Sequence, residues 1–189
     1  KAGLGTVTAL LHGTAEIDGL PIAADVRWML LTILSRNGAE DIDALLAAES
    51  ASDVSDFATK SLLMAKASTP DKSVKAEWLA ELRNPEVLIG LARQRAVMAG
   101  LFPSNQTALQ LEVLNQVLDA LPDISDSRDP YFISSYASVL LSPMCVEESS
   151  ALMQDAIDRH ADQLNSTALR FLKEAHQADS ECLALRSAQ

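Results

Sequence analysis

Residues that build sheets and residues that bind metals are both scarce in this chain. Aromatic side chains make up 4% of it, and glycine and proline contribute seven residues each out of 189. So few aromatic and turn-forming residues argue against a fold of many short strands and tight turns. There are three histidines and two cysteines. No pair among His12, His160 and His176 has the i, i+4 spacing that sets two imidazoles over one zinc ion, and no His-Glu-x-x-His segment occurs. Cys145 and Cys182 are too few for a disulfide framework or a four-cysteine zinc site, and we expect two reduced, partly buried thiols. Basic residues number 15 against 26 acidic ones, for a formal charge of -11. A surface of that sign repels a phosphate backbone or an anionic bilayer, so we expect neither nucleic acid nor membrane as a partner. No run reaches the roughly 18 to 20 apolar residues of a membrane span, and the first residues carry no leader pattern. A cytoplasmic location is therefore expected, and the opening at Lys1 without Met suggests a further segment upstream.

Alanine and leucine are plentiful, and 48% of the chain is apolar against 22% charged. That content buries a real core and favours helix, because these two side chains lose little freedom on a helical backbone. Ile22, Val26, Met29, Leu30 and Ile33 predict a helix over about 21–37, with Pro21 in its first turn and Gly38 just past its end. Ile42, Leu45, Leu46 and Glu49 continue the period in a second helix, joined so tightly that the two should pack antiparallel. Val54, Phe57, Ala58, Leu62 and Ala65 predict a third. Thr69 as N-cap and Pro70 as first-turn residue open a fourth, which carries Val74, Trp78 and Leu82 and ends at Asn84-Pro85. Further helices are expected over about 86–99, from a cap at Ser104 through Leu121, from Asp129-Pro130 through Leu140, and over about 146–162 and 166–186. Residues 122–129 read as a polar loop. The expected fold is all-α: nine or ten helices in one domain spanning 1–189, arranged as an irregular α-solenoid of HEAT-like antiparallel helix pairs.

Short motifs add little chemistry. Asp123 to Asp129 alternates oxygen donors like a calcium loop, but Arg128 replaces the turn glycine and Ser134 the bidentate glutamate. Gly3-Leu4-Gly5 lacks the third glycine of a dinucleotide fingerprint. Asp158, His160 and Asp162 alternate by two, which on a helix points neighbours apart.

Three strings carry more. Leu11-His12-Gly13, Gly19-Leu20-Pro21-Ile22 and the helix Asp25-Val26-Arg27-Trp28-Met29-Leu30-Leu31 are followed by Ala67-Ser68-Thr69-Pro70-Asp71 and Lys75-Ala76-Glu77-Trp78. Next come Gly100-Leu101-Phe102 with Gln106 and Leu109, then Leu169-Arg170-Phe171-Leu172-Lys173-Glu174 and Leu185-Arg186. In this order they resemble the C-terminal helical domain of zinc aminopeptidases of the aminopeptidase N type, the domain that closes over the active site in the endoplasmic-reticulum aminopeptidases. The resemblance spans nearly the whole chain, and Asp25, Arg27, Trp28, Lys75 and Trp78 are its most specific positions.

It implies a fragment that is not itself an enzyme and holds no cofactor. The parent's zinc sits on a His-Glu-x-x-His helix and a distant glutamate, and a Gly-Ala-Met-Glu-Asn segment takes the substrate's amine; neither motif occurs here. The implied partners are the catalytic domain of the same polypeptide and the peptide substrate. Asp25, Arg27, Trp28, Lys75 and Trp78 are then expected to be structural, the tryptophans as core anchors and Arg27 paired with a carboxylate. Arg93 and Arg95 are candidates for the substrate channel. The alternative is a free-standing HEAT-like scaffold that binds a protein or peptide in its groove.

Overall fold

Apolar residues at helical spacing recur along nearly the whole chain, and the computed structural model, which describes residues 2–86 and 89–187, is all-helical. Eleven α-helices are present among the described residues: α1 (Ala2–Leu11), α2 (Ala24–Arg36), α3 (Ile42–Ser52), α4 (Asp56–Ala67), α5 (Lys72–Arg83), α6 (Leu91–Leu101), α7 (Thr107–Asp119), α8 (Leu121–Ser127), α9 (Pro130–Leu140), α10 (Glu147–His160) and α11 (Ser166–Ser187). A single 3-10 turn, Ser104–Gln106, precedes α7. The one extended pairing among the described residues is an isolated bridge between Ile17 and Leu20.

Two helices exceed the expectation. In α1, two glycines lower the helix propensity, but Leu4, Val7, Leu10 and Leu11 pack on the first apolar cluster, and that burial outweighs it. The stretch read as a polar loop is α8, because Leu121, Ile124 and Ser125 fall on one buried face while the aspartates point outward. Pro122 suits its first turn.

Several boundaries also move. α2 starts at Ala24, leaving Pro21 outside it. Asp71, not Thr69, caps α5: its carboxylate accepts from the Ser73 N–H at 2.7 Å, so the helix begins two residues after Pro70. Ser55 caps α4 by accepting from the Ala58 N–H, which leaves Val54 in the extended segment before it, 89% exposed. The helix expected over 86–99 begins at Leu91 behind Gly90; Val87 and Leu88 lie outside the described residues. α7 begins at Thr107, after the 3-10 turn that holds Ser104. Gly38 takes φ +68° just past α2, and the N–H groups of Gly38 and Ala39 bond back to Ser35 and Leu34.

Packing places α2, α4, α6, α9 and α11 in one row, each against the next, while α5, α7 and α10 make a second row. Two apolar clusters fill the space. The first joins α1 to α4 through Leu11, Trp28, Leu31, Leu46 and Ala65; the second, larger one runs from Ala67 to Leu172. α4 contributes to both, with Ala58 and Ala65 in the first and Ala67 in the second. A side chain at Gly100 in α6 would overlap the Met64 carbonyl oxygen of α4, so the two backbones touch where only hydrogen fits.

The cysteines are not free thiols: Cys145 and Cys182 form a disulfide, with Cα atoms 5.4 Å apart. The packing of α10 on α11 brings together two residues 37 apart in sequence, a proximity that spacing does not reveal. Beside it, the buried Asp179 carboxylate accepts from the N–H groups of Met144 and Cys145, each at 2.7 Å, and from the Ser149 hydroxyl at 2.5 Å. These bonds hold Cys145 at φ +58°, a conformation an L residue rarely takes unaided.

Two outcomes are expected. Gly100→Ala lowers unfolding stability by about 1–3 kcal/mol, as overpacking against a backbone does, and a urea titration reads the shift. The pair Cys145→Ser with Cys182→Ser costs about 2–4 kcal/mol by loosening a long loop in the unfolded chain, and the unreduced wild type takes up no thiol reagent.

Candidate functional site

Arg27 sits where three helices meet. Its Nε donates to both Glu49 carboxylate oxygens at 2.9 Å, its Nη2 donates to Oε2 at 2.6 Å, and its Nη1 donates to the Leu11 carbonyl at 3.0 Å. Glu49 is buried on α3 and Leu11 closes α1, so one guanidinium ties α1, α2 and α3 together. The Glu49 hydrogen bonds raise the Arg27 pKa above its ordinary value. These bonds engage three of its five N–H groups, and the side chain stays 36% exposed. Trp28 is buried next to it, and its indole N–H donates to the Asp53 carboxylate at 3.2 Å. Bonds from Ser55, and then the one from Trp28, hold Asp53 below the usual carboxylate range. Asp25 is exposed in the first turn of α2. An open cleft of about 910 Å³ lies beside Arg27, bounded by His12, Glu16, Asp18 and Leu20.

Lys75 is fully buried on α5. Its ammonium donates to the Ala67 carbonyl at the end of α4, at 2.6 Å, and lies 6.0 Å from the centre of the Phe102 ring. Burial pushes its pKa down to about 8. Trp78, one turn on, is half-buried against the larger cluster. Gln106 does related work nearby: its amide donates to the carbonyls of Arg36 at 2.9 Å and Ser68 at 2.7 Å. Lys75 and Gln106 thus satisfy carbonyls that α2 and α4 leave free at their C-termini. Glu49 and Asp179 escaped sequence reasoning as polar anchors. Glu49 did carry a signal, an acid at an apolar position of the α3 stripe.

Arg93 and Arg95 are both exposed on α6 and do not converge. The Nη2 of Arg93 lies 3.5 Å from the Asp56 carboxylate at the start of α4, and the Arg95 Nε donates to the Ser135 hydroxyl of α9 at 2.7 Å. Near Asp56, a shallow groove of about 450 Å³ lies on the outer side of the packed helices α2 and α4, lined by Met29, Ile33, Arg36, Phe57 and Met64. Met29 and Phe57 are each about half exposed, at 52% and 49%.

No group of three His, Cys, Asp or Glu side chains converges among the described residues. His160 has its Nε2 3.1 Å from an Arg159 nitrogen, a cation that disfavours a bound metal, and His176 lies beside the Ser180 hydroxyl. The side chains here do not fit a zinc ion, and no chemical step is assigned to one in this segment.

Residues 4–178 match the family described as the ERAP1-like C-terminal domain. The whole chain is also similar to an aminopeptidase N from Streptomyces lividans, at 26% identity over 189 residues, which is 98% of this chain. The chain spans 21% of the length of that relative.

The Lys75 geometry gives a pH test. Its folded-state pKa of about 8 lies below the ordinary 10.5, so between these values the unfolded chain holds a proton that the folded chain has released. Stability from this residue is expected to rise as pH climbs through that window. Urea midpoints of wild type and Lys75→Met, compared from pH 7 to 10.5, should show the rise in the wild type alone.

Proposed function

We propose, from the premise that this chain belongs to the ERAP1-like C-terminal domain family, that it is one helical domain of a zinc aminopeptidase and shapes peptide access to a catalytic site elsewhere in the polypeptide. The observation that carries the reading is a pairing. The chain matches a C-terminal domain and spans 21% of an aminopeptidase relative, while its own donor side chains do not gather into a metal-ligand set among the described residues. On this reading zinc is held by the catalytic domain, and this segment acts by shape. Closing a helical wall over a peptidase site excludes water and admits some peptide lengths over others.

Rigid ties suit that role. Arg27 with Glu49 at one end of the array, and Asp179 with the disulfide at the other, hold helices in fixed relation, so the domain moves as a body. Arg93 and Arg95 remain the proposed contacts for substrate carboxylates, because Arg93 makes one exposed ion pair, Arg95 makes one partly buried bond to Ser135, and each keeps further donors. The absence of any helix long and apolar enough to cross a membrane, among the described residues, agrees with a partner domain in water. The disulfide favours an oxidising compartment over the expected cytoplasm, since such bonds persist where thiols are not kept reduced. The second reading, a free-standing scaffold, draws on the two rows of helices alone.

Activity separates them. The 189-residue chain supplied with zinc is expected to leave an aminoacyl reporter intact, and the longest polypeptide in which it naturally occurs is expected to cleave it. Arg93→Ala and Arg95→Ala in that polypeptide should raise KM for long peptides and leave the small reporter unchanged. Hydrolysis by the 189-residue chain itself would refute the assignment, and a parent polypeptide without peptidase activity would favour the scaffold.

A further inference from the structure

The last two turns of α11 are held by little besides the disulfide. Among the described residues, Ala175 is the last α11 residue packed on the larger apolar cluster, and Asp179 is the last buried one. The helix then continues over 180–187, where Leu185 is 69% exposed. Three bonds join this stretch to other elements. The Ser180 hydroxyl lies 3.0 Å from that of Ser150, the Arg186 Nη1 donates to the Cys145 carbonyl at 3.3 Å, and Cys182 is bonded to Cys145. The two hydrogen bonds are open or partly open to water and contribute little. A helical stretch of eight residues is also well short of the roughly 12 to 15 that persist in water without packing. The other cysteine has its own anchors. Met144 and Val146 on either side of it pack on the apolar cluster, and the Asp179 carboxylate holds the N–H groups of Met144 and Cys145. One end of the disulfide is thus fixed without it, and the other depends on it.

We propose that the bond between Cys145 and Cys182 is a redox latch: a dithiol reductant that opens it releases residues 180–187 from the domain, while the bend at Cys145 and the rest of α11 stay in place. One thiolate of the reductant attacks a sulfur of the bond, which gives a mixed disulfide and frees the other cysteine as a thiolate. The second thiolate of the reductant then displaces the remaining cysteine and leaves as a cyclic disulfide. Two electrons and two protons pass to the cysteine pair, and the reductant loses the same number. Both cysteines are half-buried, so a small dithiol reaches them in the folded chain. They are the only two cysteines in the 189 residues, so the freed thiols have no competing partner within this chain. Asp179 keeps α11 beside the bend after reduction, and that proximity gives the two thiols a high effective concentration for reclosure. The latch operates whether or not the parent polypeptide is a peptidase.

Hydrogen exchange read by mass spectrometry tests the latch in the longest polypeptide in which the chain naturally occurs, first oxidised and then reduced with dithiothreitol. Amides 183–187 are expected to exchange about tenfold faster after reduction, close to the rate of an unstructured chain, while those of α9 stay protected in both states. Cys145→Ser with Cys182→Ser should reproduce the reduced pattern without reductant. Equal exchange of 183–187 in the two states would overturn the proposal, because the helix end then holds itself. Loss of protection in α9 to the same extent would overturn it too, since the disulfide is then a staple of the whole domain. The rate of reduction gives a second reading. It is expected to rise in proportion to dithiothreitol concentration, as attack on the folded chain requires, and a rate that levels off at that of global unfolding sinks the idea.

Discussion

The contact on which most of this molecule depends is the one between the backbones of α4 and α6. Gly100 lies against the Met64 peptide so closely that a methyl group has no room, and this approach sets α4 between the two apolar clusters. Ala58 and Ala65 then look toward α2 and α3, while Ala67 looks toward α5, α6 and α7. Small residues on a helix let its neighbours come near on both sides, and the geometry of the first row follows from that.

Bringing helices so close leaves carbonyls at their ends with little access to water, and the structure answers with polar side chains from neighbouring elements. The Ser35 hydroxyl donates to the Ala65 carbonyl at 2.5 Å, Lys75 to Ala67, and Gln106 to Arg36 and Ser68. Each bond satisfies a group that would otherwise cost more than an ordinary hydrogen bond gains. The same logic governs the far end, where Asp179 captures two N–H groups at a bend that Cys145 makes in the left-handed region. Apart from Lys75 with Ala67, which are eight residues apart, these ties join positions 30 or more residues apart and fix neighbouring helices relative to one another.

Large apolar side chains left half exposed look like imperfections in an isolated chain. Met29 and Phe57 are large, apolar and half exposed. Each is a poor choice for a surface in water and a sound one for an interface. Arg27, by contrast, spends its hydrogen bonds within the chain, on Glu49 and the Leu11 carbonyl.

Helical class, most helix positions and the family were legible in the sequence, because the period of Leu, Ala and Val is a local property and the Asp25 to Leu31 string is contiguous. α1 and α8 were not, since glycines and aspartates mask a helix whose stability comes from distant packing. Neither were the roles of Glu49, Gln106 and Asp179, the bond between Cys145 and Cys182, or the separate placement of Arg93 and Arg95. All of these depend on which helix lies beside which, and apart from the acid that Glu49 sets in an apolar stripe, the chain writes no local mark of that. Periodicity says which face of a helix seeks cover; only the assembled rows decide what covers it and what is left open.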